Sequence, residues 1–202
     1  MKKLYENIED IHIKGGVSQL SKVVRVMDMS LQNIADSTER LVGYLARYSS
    51  TNKGAQYERV VNTSCSLRDE LFDASLELND MQKQIVAYQN KIYRYEDMTE
   101  SASLPNPYLV TKRQISTDSS AIQFTRTDMV RLSNLLKDYS EKVYASIKKI
   151  NQEKNDIAGI WMDTQYDDFA NFIESLSKSV VDALKVYEEY VMYLEEKIRE
   201  LG

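Results

Sequence analysis

The residues that could support catalysis in this chain are few and lie far apart in the sequence. His12 is the only histidine and Cys65 the only cysteine among the 202 residues. A thiol nucleophile needs a neighbouring base, and a metal site needs a cluster of ligands at suitable spacing. The chain contains no Cys-x-x-Cys, His-Glu-x-x-His or Gly-x-x-x-x-Gly-Lys motif. We therefore expect no enzyme activity, no catalytic residues, no cofactor and no metal site.

The charge distribution argues against nucleic acid as a partner. The formal net charge is -5, and residues 163–202 contain 10 acidic residues against 4 basic ones. Binding to phosphate groups requires clustered Lys and Arg, and the sequence has no such cluster. The chain also lacks the apolar run of about 18 residues that a membrane helix needs, and the apolar stretch of a signal peptide. We expect no nucleic-acid binding, no membrane insertion and no classical secretion.

Hydrophobic periodicity indicates long helices. Only 6 Gly and 2 Pro interrupt the chain, fewer than a fold rich in turns would need. Apolar residues recur at steps of three and four, which places them on one stripe of a helix. Four segments have this pattern: Leu20 to Tyr48, Tyr57 to Tyr95, Ile122 to Ile150 and Phe169 to Leu201. Because such stripes must be buried against partner helices, the sequence predicts an all-α fold, an elongated four-helix bundle of two antiparallel helical hairpins.

Turn-forming residues divide the chain into parts. Residues 49–54 separate the first two helices, and residues 155–163 separate the last two. Both prolines, Pro105 and Pro107, lie between the two pairs and indicate a crossover. We predict, in chain order, an N-terminal arm (residues 1–16), for which a short strand or an arm is expected rather than helix, and a first helical hairpin (17–98). A Pro-containing crossover (99–118) and a second helical hairpin (119–202) follow.

The two hairpins share a weak internal repeat. A shift of 109 residues aligns residues 54–62 with residues 163–171, and three of these nine positions are identical. The same shift superposes the two turns and the beginnings of the helices that follow them. This agreement indicates a duplicated hairpin.

The second turn contains the only tryptophan, Trp161, followed by Asp163 and, eight positions after the tryptophan, by Phe169. This segment resembles the turn of the WXG family, the early-secreted-antigen-like helical hairpins of type VII secretion. In that family Trp-x-Gly occupies the turn, and an aromatic residue often follows eight positions after the Trp. Trp161 and Phe169 match, Asp163 stands at the glycine position, and in the first turn Gly54 stands there. The resemblance implies two such hairpins fused in tandem, with these four residues as the turn motif that a partner recognises.

The resemblance also implies an export signal, Tyr-x-x-x-Asp/Glu after the second helix of a hairpin, which the secretion ATPase of the family reads. Tyr93 and Asp97 fit this pattern, with ordinary helix charge as the alternative explanation. Tyr44, Tyr93 and Tyr193 lie beside the apolar stripes and are our first candidates for a partner surface. Trp161 either covers the open end of the core or forms a recognition surface.

These observations predict an interaction protein. The leading hypothesis is a type VII secretion component, either a secreted substrate or a targeting partner for a larger exported effector. Its partners would be the secretion ATPase or the helical leader of that effector, and the chain itself would be a monomer or a homodimer. It would be cytoplasmic before export, then secreted or on the cell surface by a route without a signal peptide. The alternatives are a cytosolic coiled-coil scaffold or adaptor, and an immunity-type inhibitor whose acidic fourth helix docks a basic partner.

Overall fold

The computed structural model describes residues 2–95, 114–160 and 164–201 and, from residue 18, most of their side chains. It contains four helices: α1 (Lys2–Tyr48), α2 (Ala55–Tyr95), α3 (Arg126–Asp156) and α4 (Thr164–Glu200). At 1.5 Å per residue, the 47 residues of α1 extend about 70 Å and the 37 residues of α4 about 55 Å. Within these ranges no strand is present, and the only β contact is an isolated bridge between Lys53 and Gln123. The predicted all-α four-helix bundle is confirmed.

The apolar stripes of all four helices form one continuous core. Most stripe positions are buried, including Leu20, Met27, Ile34 and Leu41 in α1 and Leu132, Leu136, Val143 and Ile150 in α3. The stripes of α2 and α4 complete this core from the other side. The stripes therefore bury one another within a single chain, and contacts with other proteins must use the outer surface of the bundle.

Each helix packs against two neighbours and runs antiparallel to both. α1 and α4 each contact α2 and α3, so α1 lies diagonally opposite α4. Between α1 and α3, Lys22 pairs with Glu153 whereas Arg40 pairs with Asp138, so residue numbers rise in one helix as they fall in the other. As a result, the two hairpin turns lie at opposite ends of the bundle, and α2 ends at the opposite end from the start of α3.

The chain is helical earlier than predicted. The residues expected to form an N-terminal arm, 1–16, belong from residue 2 onward to α1. Leu4, Ile8 and Ile11 continue the steps of four and three, and this short pattern indicates helix. The glycine pair that follows them costs roughly 1 kcal/mol per residue in a helix interior, and a helix of this length can include it.

The second hairpin begins later than predicted. Ile122 and Thr125 were assigned to the third stripe, but Ile122 is exposed and α3 starts at Arg126. Thr125 is the N-cap of α3, because its backbone is extended and its hydroxyl oxygen accepts a hydrogen bond from the N–H of Asp128 at 3.1 Å. Of the predicted crossover, residues 99–113 lie outside the described residues, and residues 114–118 are not helical.

A hydrogen-bonded layer crosses the core and joins all four helices. Thr38 Oγ1 of α1 lies 3.3 Å from the hydroxyl of Tyr139 in α3, and the hydroxyls of Tyr187 in α4 and Ser64 in α2 are 3.1 Å apart. The two tyrosine rings meet edge to face with their centroids 5.7 Å apart. Burial raises the pKa of Tyr139 to about 12 and raises that of Tyr187 as well. Because buried polar groups need partners, this layer favours one relative height for the four helices.

Candidate functional site

Gly54 is the point at which the first turn meets the connection to α3. Its φ angle is +124°, in the region that L-residues with a side chain rarely adopt. Its N–H donates to the carbonyl of Asp118 at 3.1 Å, and its carbonyl accepts from the N–H of Glu58 at 2.9 Å. The glycine predicted as part of a turn motif therefore has a structural task, which is to start α2 and hold the connection.

Neighbouring contacts strengthen this junction. Lys53 exchanges two backbone hydrogen bonds with Gln123, at 2.9 and 3.3 Å, and its ammonium group lies 2.9 Å from the carboxylate of Asp118. The hydrogen bond from Lys53, together with those from Ser120, holds the pKa of Asp118 well below its usual range. Thr117 also donates to Glu58 at 3.1 Å. The last part of the connection is thereby fixed against the first turn.

Two buried polar side chains of the first hairpin are incompletely paired. The amide group of Asn52, in the first turn, makes no hydrogen bond within the described part of the chain. Arg68 in α2 is only 2% exposed, and its Nε and Nη2 both donate to one oxygen of Asp69, whereas its Nη1 has no partner among the described residues. Such groups lose hydration without full compensation, so they reduce the stability of the first hairpin.

The same tyrosine hydrogen bond occurs at both turns. The hydroxyl of Tyr57 donates to the carbonyl of Leu45 at 3.1 Å, and the hydroxyl of Tyr166 donates to the carbonyl of Lys154 at 3.3 Å. In each case the donor lies twelve residues after the acceptor, and the two bonds are related by the 109-residue shift. The repeat seen in the sequence is therefore repeated in the contacts that close each hairpin.

The burial pattern follows the same shift. All nine residues of α4 that are buried in its described part, from residue 166 onward, correspond, 109 positions earlier, to buried residues of α2. Ten of the twelve buried residues of α3 correspond to buried residues of α1. Phe169, for example, corresponds to Val60, and both are fully buried. The two hairpins therefore contribute equivalent faces to the common core.

The predicted site residues differ in whether the structure describes them and in how far they are exposed. Trp161, Asp163 and Asp97 lie outside the described residues. Phe169 is 0% exposed in the core and has no surface to offer a partner. Tyr93 is 8% exposed near the end of α2, so its side chain is mainly a packing residue in this conformation.

The other tyrosines predicted to form a partner surface also make contacts within the bundle. The hydroxyl of Tyr44 donates to the carbonyl of Asp128 at 3.4 Å, and burial raises its pKa to about 12. Tyr193 stacks on Tyr190 with the ring centroids 5.7 Å apart. Tyr144, which was not a candidate, is 52% exposed. Hydrophobic periodicity does not identify Tyr144, because this residue lies outside the core stripe of α3.

Tyr144 lies in a mainly apolar depression between α3 and α4, which we call the α3–α4 groove. The groove has a volume of about 690 Å³ and contains Leu136 and Leu184 together with the exposed side chains of Val181 and Met192. Charged residues accompany these apolar side chains: Lys137, Glu141, Lys185 and Glu188. An apolar floor with a mixed charged rim is typical of a surface that binds another protein.

The equivalent face of the first hairpin is closed. Ala35, which corresponds to Tyr144, is buried, and Phe72, which corresponds to Val181, packs against the core. Ile115, from the connection, also packs against the core, and its backbone is within hydrogen-bonding reach of the Cys65 thiol. The two hairpins are thus alike inside and different outside, and only the second has an open groove at this position within the described residues.

The described residues include the single cysteine, Cys65. It is half-buried, and this burial raises the pKa of its thiol, which disfavours the reactive thiolate. No group of three or more potential metal ligands is found in the part of the chain that the structure describes. None of the helices it describes has an apolar stretch long enough to cross a membrane.

Comparisons with protein-family models, curated proteins and solved structures found no match.

Proposed function

We propose that this chain is a non-enzymatic interaction protein of type VII secretion, either a secreted substrate or a targeting partner for a larger exported effector. The observation that carries the proposal is the repeated hairpin, because Tyr57 and Tyr166 make the same hydrogen bond at the two turns. Together with the resemblance of the Trp161 to Phe169 segment to the WXG turn, this supports two WXG-like hairpins fused in one chain.

The packing supports a role that depends on the outer surface. Because the four apolar stripes are buried within the chain, an effector leader would bind without opening the bundle. The α3–α4 groove has the apolar floor that an amphipathic helix would need. If the ATPase reads Tyr93 and Asp97, it must first uncover the end of α2, because Tyr93 is buried.

The groove also favours a second candidate function, that of a cytosolic adaptor. An adaptor would use the same apolar surface but would remain in the cell. It would not use its heptad stripes to pair with other chains, because doing so would expose a core that is closed in this fold.

An export assay separates the two functions. The tagged chain is produced in a host with a type VII system, with and without its secretion ATPase, and is measured in cells and in culture supernatant beside a cytosolic lysis marker. ATPase-dependent export supports the proposed function, and Trp161→Ala and Tyr93→Ala then test the turn and the signal. Complete retention in the cytosol, with or without the ATPase, and no binding to an effector leader would contradict it and favour the adaptor.

A further inference from the structure

The outer face of α4 carries a second regular stripe, separate from its core stripe. Its eight members are all exposed and follow one another at alternating steps of four and three residues, the spacing of one helix face. We call it the α4 stripe, and its members are Glu174, Lys178, Val181, Lys185, Glu188, Met192, Glu195 and Arg199. Four of them, Val181, Lys185, Glu188 and Met192, line the α3–α4 groove. The stripe therefore combines the apolar residues of the groove with ordered charges on both sides.

The α4 stripe is complementary to the same stripe read in the opposite direction. Its midpoint lies between Val186 and Tyr187. Residues at equal distances before and after this midpoint form pairs that are either both apolar or oppositely charged. The counterparts are Lys185 with Glu188, Val181 with Met192, Lys178 with Glu195, and Glu174 with Arg199. Two copies of α4 placed antiparallel about this midpoint would thus oppose apolar residues to apolar ones and every positive charge to a negative one.

α3 has a corresponding exposed stripe, and its central pair is complementary in the same way. Its exposed members, also at steps of four and three, are Val130, Asn134, Lys137, Glu141, Tyr144 and Lys148. The midpoint of this α3 stripe is Tyr139, about which Lys137 and Glu141 are counterparts. Since the rings of Tyr139 and Tyr187 are in contact, the midpoints of the two stripes lie at the same height along the bundle. One two-fold axis across the groove can therefore serve both helices.

We propose that the chain forms a two-fold symmetric dimer through this face, with α4 antiparallel to α4 of the second copy and α3 antiparallel to α3 of the second copy. A two-fold interface must be complementary to itself, and the α4 stripe meets that condition in charge and in apolar content, as does the central pair Lys137 and Glu141 of the α3 stripe. This inference does not depend on the proposed role in secretion.

The size of the face agrees with a dimer interface. The α4 stripe extends over 26 residues, or roughly 38 Å, and two adjacent helices are roughly 18–20 Å wide, which gives about 700 Å² per copy. Specific interfaces bury about 800 Å² per partner. Glu195 already pairs with Lys137 at the surface, and exchanging this exposed pair for a pair across the axis costs little.

Reversing the charge of Lys185 or Glu188, the stripe residues next to the two-fold axis, tests the proposal. The two-fold axis duplicates every contact, so Lys185→Glu alone or Glu188→Lys alone creates two like-charge pairs, whereas the double variant restores opposite charges. By sedimentation velocity over a concentration series, the wild type is expected to form a dimer, and each single variant to raise the dissociation constant by about tenfold or more. The double variant is expected to recover most of the wild-type affinity.

The matched control is Lys149→Glu, the same change at an exposed residue of α3 outside both stripes, and it is expected to leave dimerisation unchanged. Circular dichroism and thermal unfolding establish that every variant is folded. A wild type that stays monomeric at the highest concentration reached overturns the proposal, as does a dimer that the single variants do not weaken or the double variant does not restore. A monomer that binds an effector leader through the groove would overturn the dimer while supporting the proposed function.

Discussion

The hydroxyl groups of Tyr57 and Tyr166 hold the two hairpins closed in the same way, each by donating to the backbone carbonyl twelve residues before it. Both bonds join the first turn of one helix to the last turns of the helix before it, across a turn whose residues differ. The bond therefore sets how the second helix of each hairpin returns along the first, even where the turn sequences have diverged.

Removing either hydroxyl should destabilise the protein by a similar amount. We expect Tyr57→Phe and Tyr166→Phe each to reduce the free energy of unfolding by about 1 kcal/mol, the usual net contribution of a hydrogen bond. The larger loss is expected for Tyr57, which is fully buried, whereas Tyr166 is only partly so. Urea denaturation of each variant beside the wild type measures the difference. Equal stability of Tyr57→Phe and the wild type would show that the bond contributes nothing.

Two glycines should respond in opposite directions to the same substitution. Gly54→Ala is expected to lower the free energy of unfolding by roughly 1–3 kcal/mol, because an alanine at φ +124° is strained. Gly43→Ala is expected to raise it by about 0.5–1 kcal/mol, because Gly43 lies inside α1 with no atom within 4 Å of an added Cβ. Thermal and chemical unfolding of both variants give the comparison. Destabilisation of both by the same amount would contradict this account of the first turn.

The polar layer predicts a loss of stability in alkali. An unfolded tyrosine ionises near pH 10, whereas Tyr139 in the folded chain has its pKa raised to about 12. Between these values the unfolded state binds fewer protons, so stability falls as pH rises, by up to about 1.4 kcal/mol per pH unit for this one group. We expect Tyr139→Phe to lose less stability than the wild type between pH 10 and 12. Parallel urea titrations at both pH values test this, and identical slopes would contradict it.

The ion pair between Asp118 and Lys53 predicts that the stability of the folded protein decreases in acid. Its pKa is lowered in the folded chain, so the ion pair with Lys53 stabilises the protein above the unfolded pKa of about 3.9. That stability is lost as pH falls from there through the lower folded pKa. We expect Asp118→Asn to melt at a lower temperature than the wild type at pH 7, with the difference shrinking below pH 4. Asp182→Asn, which breaks a pair within α4, is the control for loss of an exposed carboxylate.

Arg68 should be replaceable without loss of stability. Its guanidinium group is buried and has only a partial set of partners among the described residues, so Arg68→Met is expected to remove a desolvation cost while keeping the length of the side chain. We expect an unchanged or slightly higher free energy of unfolding. Asp69→Asn, which leaves the arginine in place without its carboxylate, should instead cost roughly 1 kcal/mol, a small figure because Asp69 is half exposed. A large loss in Arg68→Met would show that the arginine has a further partner.

Periodicity predicted the helices and the core well because both depend on residues three and four apart. The start of α3 was missed although its signal is local: Thr125 followed three residues later by Asp128 is an N-capping pattern, and it outweighs an apolar residue such as Ile122 just before it. The sequence alone does not distinguish the α4 stripe from a solvated face, because charged residues at helical spacing are typical of the solvent-exposed side of a single helix. Its symmetry becomes informative only when the contact of Tyr139 with Tyr187 places two helices at one height.

The burial of Asn52 and Arg68 could not have been predicted, because it depends on which segments of the chain lie together in space. The same holds for the open groove. Val181 and Phe72 occupy equivalent positions and have similar chemistry, yet one is exposed and the other packs against the core. A repeat in sequence therefore predicts equivalent interiors but not equivalent surfaces.

The antiparallel order of neighbouring helices also determines the electric properties of the bundle. Each end of the molecule carries two helix amino termini and two carboxyl termini, so the partial charges of the four macrodipoles largely cancel there. The backbone then gives the protein little permanent dipole moment. The charges of its side chains govern instead how it is oriented as it approaches a charged partner. The largest contribution comes from the acidic excess of residues 163–202, most of which belong to α4.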